Sequence, residues 1–152
     1  MRYVARVTIE ASAEEVWQVL SDVRRWPEWT PTMSRVEVLE DGPLRVGSRA
    51  RVRQPRLREA TWTVCRLEPG RSFAWVTRAA GLRCLGDHVV TPGPDGTHVE
   101  LVAELTGPFE PLTRPIYGRL FQRYVETEGA SLKRLCESGV PGRPSDAGHL
   151  NG

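Results

Sequence analysis

The chain has 152 residues, 39% of them hydrophobic and 26% charged, with a formal net charge of +2. That length and apolar content suit one soluble domain with its own core, and the charge is too small to point to nucleic acid or an anionic membrane as partner. Cys65, Cys84 and Cys136 include no C-x-x-C, and His88, His98 and His149 show no metal-ligand spacing, so neither a disulfide framework nor a zinc site is expected and a reducing cytoplasm fits.

The opening "MRYVARVTIE" carries scattered charges, unlike a signal peptide or a membrane span. Its alternation places Tyr3, Ala5, Val7 and Ile9 on one face and predicts a half-buried strand over 2–10. "SAEE" (12–15) is a capping box, with Ser12 as N-cap of a short helix through Val16, Trp17 and Leu20. A second helical turn is expected near 22–25, ended by Pro27. From residue 33 the period is two, predicting strands over 34–40, 48–54, 59–68, 71–79, 82–91 and 97–106. "PG" and "PGPDG" mark hairpins between the third and fourth and between the fifth and sixth of these. A proline-rich approach follows, with Pro115 tolerable only in a helix's first turn, then one long helix to about Glu137. The Gly/Pro/Ser-rich end (138–152) reads as a disordered tail beyond a single domain of residues 1–137.

Strands in a run with segregated helices mean an α+β fold: a curved seven-stranded antiparallel sheet wrapped around a long C-terminal helix, with two short helices after the first strand. A sheet bent around a helix leaves a cavity between them, a natural place for a small ligand.

Several side chains point toward that cavity. Glu128 interrupts an apolar helical stripe that includes Phe121. At about 100° per residue it lies within roughly 20° of Tyr117 and 40° of Tyr124. A buried carboxylate needs donors or a proton, so Glu128 either reaches water or an arginine at the helix end or lines the cavity. Its neighbour Gly129 costs about 1 kcal/mol in mid-helix against alanine, a sign of close approach by another element. Tyr117 and Tyr124 are either core residues with bonded hydroxyls or, with Glu128, a polar track. By alternation His88 shares a face with Cys84, Gly86 and Val90, as a hydrogen-bonded core histidine or as an acid/base near neutral pH. Phe73 and Trp75 face inward, as core bulk or as walls for a planar ligand. Trp62 falls outside by parity unless a bulge brings it in. Gln54 stands inward at a strand end, where a pocket mouth would lie. Trp26 and Trp29 flank Pro27 and read as a rigid plug rather than a lid. Arg49, Arg51 and Arg53 form an outward stripe that stays wet.

"ASAEEVW", "DVRRWPEW", "LEPGRSFAW", "DH" and "DGTHVELVAEL", followed by the long final helix, resemble the START-like superfamily over roughly residues 3–137. That group includes the polyketide cyclase/dehydrase and lipid-transport proteins and the birch-pollen-allergen fold. The resemblance implies a helix-grip domain with a hydrophobic tunnel and fixes no catalytic set. The first expectation is a cofactor-independent enzyme of secondary metabolism, of the polyketide cyclase, aromatase or dehydratase kind. His88 and Glu128 are its acid/base candidates. Gln54, Trp62, Phe73, Trp75, Tyr117, Phe121 and Tyr124 would contact the ligand. The alternative is a non-catalytic carrier of a lipid or metabolite, and a third class is an assembly partner with a filled core. The expected partner is a hydrophobic small molecule, with no metal, nucleic acid or membrane insertion, in a monomer or homodimer.

Overall fold

The computed structural model describes residues 1–79 and 81–138, so the reading of the tail falls outside the described residues beyond Ser138. Strand β1 (Arg2–Ile9) keeps the expected alternation, with Ala5 and Ile9 buried. Helix α1 (Ala13–Ser21) begins as its capping signal requires: Ser12 Oγ accepts from the Glu15 N–H at 3.1 Å. Its apolar stripe buries Val16 and Leu20 completely. A 3-10 turn (Val23–Arg25) leads into α2 (Trp26–Trp29). Pro27 therefore does not end the helical segment but stands in the first turn of α2, where a missing N–H leaves no intrahelical bond unmade.

Six strands follow as a continuous antiparallel meander: β2 (Arg35–Val38), β3 (Arg49–Arg53), β4 (Ala60–Glu68), β5 (Ser72–Ala79), β6 (Leu82–Gly93) and β7 (Gly96–Thr106). The first strand closes the order β1-β7-β6-β5-β4-β3-β2 by pairing with β7, from Arg2 opposite Glu104 to Ile9 opposite Thr97. Gly70, at φ +80°, follows Pro69 in the β4–β5 turn, where the Arg71 N–H returns to the Glu68 carbonyl at 2.9 Å. That is the residue pair a type II turn demands. Between β4 and β5 the register slips by one residue: Val64 opposes Trp75, and Arg66 opposes Ala74. Cys65 is the extra residue of a bulge, so Trp62 and Val64 share an inward face with Leu67 despite the odd spacing.

Helix α3 (Glu110–Ser138) crosses the concave face. It begins about a turn before the expected start, so Pro115 is its sixth residue. The early turn is held by the Thr113 N–H on the Phe109 carbonyl at 3.2 Å and by an Arg114–Glu110 ion pair at 2.7 Å. Pro115 lies on the exposed side of the helix. The helix packs mainly on β1 and β7. A Cβ at Gly129 would stand 3.3 Å from Val7 Cγ1, and one at Gly118 2.6 Å from the Tyr3 hydroxyl. These glycines draw the helix down on the β1 side. Over the bulged strands, space remains.

Candidate functional site

Period two along β6 points His88 inward between Gly86 and Val90, and the residue is 4% exposed. The opposite strand supplies Phe73 directly across from it. Phe73 stacks on the imidazole with ring centroids 4.2 Å apart, and its carbonyl lies 3.1 Å from His88 Nδ1. A carbonyl only accepts, so Nδ1 carries a proton and Nε2 is left to face the helix. Behind the ring, Asp87 accepts from its neighbour's backbone, the His88 N–H, at 2.9 Å and binds Arg66, whose guanidinium it holds above its ordinary range.

Glu128 meets this imidazole from α3. Its Oε1 stands 3.6 Å from His88 Nε2, and the residue is 7% exposed. The helical wheel places it on this side, and its burial leaves little of it open to solvent. At 3.6 Å the contact is an ion-pair distance rather than a hydrogen bond.

The pair opens on a chamber of about 50 Å³ between α3 and the sheet. Trp62, Trp75, Phe121, Tyr124 and Gln54 line it together with His88 and Glu128. Phe73 and Tyr117 do not. Phe73 is fully buried behind the imidazole, and Tyr117 packs edge-on to Phe121 further along the helix. Sequence reasoning missed Trp26 as a wall. It is completely buried, 5.3 Å edge-on from His88 and 5.4 Å from Trp75, and its Nε1 donates to the Leu20 carbonyl at 3.0 Å. A plug and a wall are here the same residue. Met33, Leu101 and Val125 add to the apolar lining. Cys84 also borders it, with burial pushing its thiol up to about 12, so it stays protonated at neutral pH.

Aromatic bulk makes the chamber narrower than the expected tunnel. A water needs roughly 10–15 Å³ of such space. The chamber thus admits a few waters, against roughly 300–1,000 Å³ for pockets that enclose drug-sized ligands. At its rim the Tyr124 hydroxyl donates to the Pro55 carbonyl, tying α3 to the loop after β3, and burial raises the phenol above its usual range. In that loop Arg56 has φ +66°, a left-handed conformation that costs a side chain about 1 kcal/mol or more.

Outside, Arg49 pairs with Glu40, Arg51 with Glu37 and Glu59, and Arg53 with Glu59, so the arginine stripe is neutralised by strand neighbours. Among the described residues no group of three or more His, Cys, Asp or Glu could hold a metal ion, and no helix is long and apolar enough to cross a membrane.

Solved structures share this architecture. The di-domain ARO/CYC StfQ from the steffimycin biosynthetic pathway superposes with a TM-score of 0.75 at 14% identity over 90% of this chain and 50% of StfQ. The chain thus spans half the length of that protein. TTHA0849 from Thermus thermophilus gives 0.70 at 20% identity, covering 88% and 95%. A norcoclaurine synthase point mutant from Thalictrum, in complex with a transition-state analogue, gives 0.66 at 16% identity, covering 90% and 93%. At such identities the likeness is one of fold. Among curated proteins none matches this sequence. The model of one family matches residues 1–137, nearly the entire chain, and the protein therefore belongs to the polyketide cyclase / dehydrase and lipid transport family.

Proposed function

We propose that this chain binds a hydrophobic small molecule between the sheet and α3 and moves protons on it through His88 and Glu128, as a cofactor-independent enzyme of the polyketide cyclase/dehydrase kind. Family membership supports the hydrophobic ligand. The observation that carries the chemistry is the buried His88–Glu128 contact of 3.6 Å, with Nδ1 engaged by a backbone carbonyl so that Nε2 faces the carboxylate. One member removes a proton beside a ketone while the other returns one to a departing hydroxyl. The aromatic walls hold the reacting carbons in place, the larger part of such catalysis. Ligand gains admission when the Tyr124–Pro55 tie releases the loop at the rim.

An aryl β-hydroxy ketone tests this reading. Loss of water from it gives a conjugated enone, followed by absorbance. The wild-type protein should accelerate that elimination, and His88→Ala and Glu128→Gln should each lower the rate by about 100-fold or more while the ketone still binds. Binding without acceleration would replace the enzyme by the carrier. Absence of binding by this probe, together with no co-purified compound in native mass spectrometry, would end both.

A further inference from the structure

Four large apolar side chains are exposed among the described residues, and three of them lie in one short stretch: Phe109, Leu112 and Ile116, at 50%, 71% and 69% exposure. Spacings of three and four residues stack them in one stripe on the side of α3 turned away from the sheet. The Phe109 ring lies against the β5–β6 hairpin, where a Cβ at Gly81 would stand 2.7 Å from it. Single exposed leucines are ordinary, but three apolar side chains grouped at one end of a helix mark a surface that meets something.

Arginines surround this stripe. The same three-and-four spacing carries its line on to Arg119 and Arg123, both exposed. On the hairpin, Arg78 and Arg83 stand directly opposite each other across the two strands. Like charges so placed repel, and an anion beside them relieves the repulsion. Among the described residues none of these four arginines has a carboxylate within ion-pair distance. The carboxylates of this region are engaged elsewhere: Glu110 by Arg114, and Glu126 by the Gln122 amide, while Glu104 faces Arg2 in the β1–β7 ladder. The contrast is with Arg49, Arg51 and Arg53, each of which has its glutamate. A net charge of +2 conceals the local excess.

What covers the stripe is therefore apolar where it meets the leucine and isoleucine and negative around them. A second copy would set arginines against arginines. A partner helix would need a groove to lie in, whereas Leu112 and Ile116 stand clear of their surroundings. The surface of an anionic bilayer meets both demands: its acyl boundary accepts protruding apolar side chains, and its phosphates accept guanidinium groups. We propose that this chain docks on anionic membranes through Phe109, Leu112 and Ile116, with Arg78, Arg83, Arg119 and Arg123 on the lipid phosphates. The domain lies on the bilayer rather than across it, since no described helix is long and apolar enough to span one. This docking is independent of the chamber and of the proton chemistry proposed for it.

Flotation of the full chain with lipid vesicles tests the proposal, using phosphatidylcholine alone and phosphatidylcholine with roughly a third phosphatidylglycerol. The protein should float with the mixed vesicles and stay behind with the neutral ones. Raising the salt from about 0.05 M to about 0.5 M should weaken binding about fivefold or more. The Leu112→Ser/Ile116→Ser pair should lower the partition coefficient about tenfold or more, and Arg78→Gln/Arg83→Gln about tenfold. All four positions are exposed or half-buried, so both pairs should keep the wild-type urea midpoint. No flotation with the mixed vesicles, equal flotation with the neutral ones, or binding indifferent to both pairs would overturn the proposal and leave the chamber's chemistry untouched. A dimer in sedimentation velocity that Leu112→Ser/Ile116→Ser abolishes would also overturn it, and would assign the stripe to a second copy.

Discussion

Helix α3 meets the sheet in two different ways along one concave surface. Toward β1 it is seated on glycines, with Val7 and Tyr3 filling the places where side chains would stand. Toward the bulged half of the sheet it is held off by large aromatic rings, and it presents a glutamate instead of a leucine. The first seam is optimised for contact. The second gives up contact for a polar group in an apolar setting, which proteins retain for function more than for stability. One helix thus carries both an anchor and a working face, separated by about a third of a turn.

That contrast can be broken on purpose. The largest effect belongs to a completely buried leucine of the helix: Leu132→Ala should cost about 3 kcal/mol in urea denaturation. On the working face the sign should reverse. Glu128→Leu removes a buried carboxylate from an apolar wall and should raise stability by about 1–2 kcal/mol in the same measurement, while elimination of the β-hydroxy ketone is lost. A destabilised Glu128→Leu variant would show that the carboxylate serves the fold, and the two seams would then not differ in kind. Smaller still, Tyr124→Phe cuts the tie to Pro55 and should cost about 1 kcal/mol, with faster association of the ketone in stopped-flow tryptophan fluorescence. Arg56→Gly relieves the left-handed backbone at the rim and should gain about 0.5 kcal/mol in thermal unfolding, the smallest shift of the four.

Local patterns in the sequence carry most of the architecture. Alternation locates all seven strands, the capping box locates α1, and the turn dipeptides locate the hairpins, because each is a short-range signal with one physical cause. His88 and Glu128 are legible for the same reason: periods of 2 and 3.6 each assign a face. What the sequence hides depends on breaks in those periods and on curvature. Cys65 interrupts the parity of β4, so nothing local says whether Trp62 turns in. Phe73 does face inward, but the bend of the sheet puts it behind the imidazole rather than along the chamber. Tyr117 shares the stripe of Glu128 yet lies about three helical turns away, beyond the cavity. Trp26 reads, through Pro27, as part of a stopper. A helical first turn at that proline swings the indole across to β5 and β6 instead.

The acceptor that governs the His88 imidazole is a main-chain oxygen, that of Phe73. No single replacement at position 73 can delete it. Altering the residue there changes only what stacks on the ring, whereas silencing the oxygen would require sliding β5 against β6 and so breaking a ladder of eight paired residues. Divergent descendants of this scaffold are therefore free to resculpt every wall around the cavity for a new guest while inheriting the same tautomer.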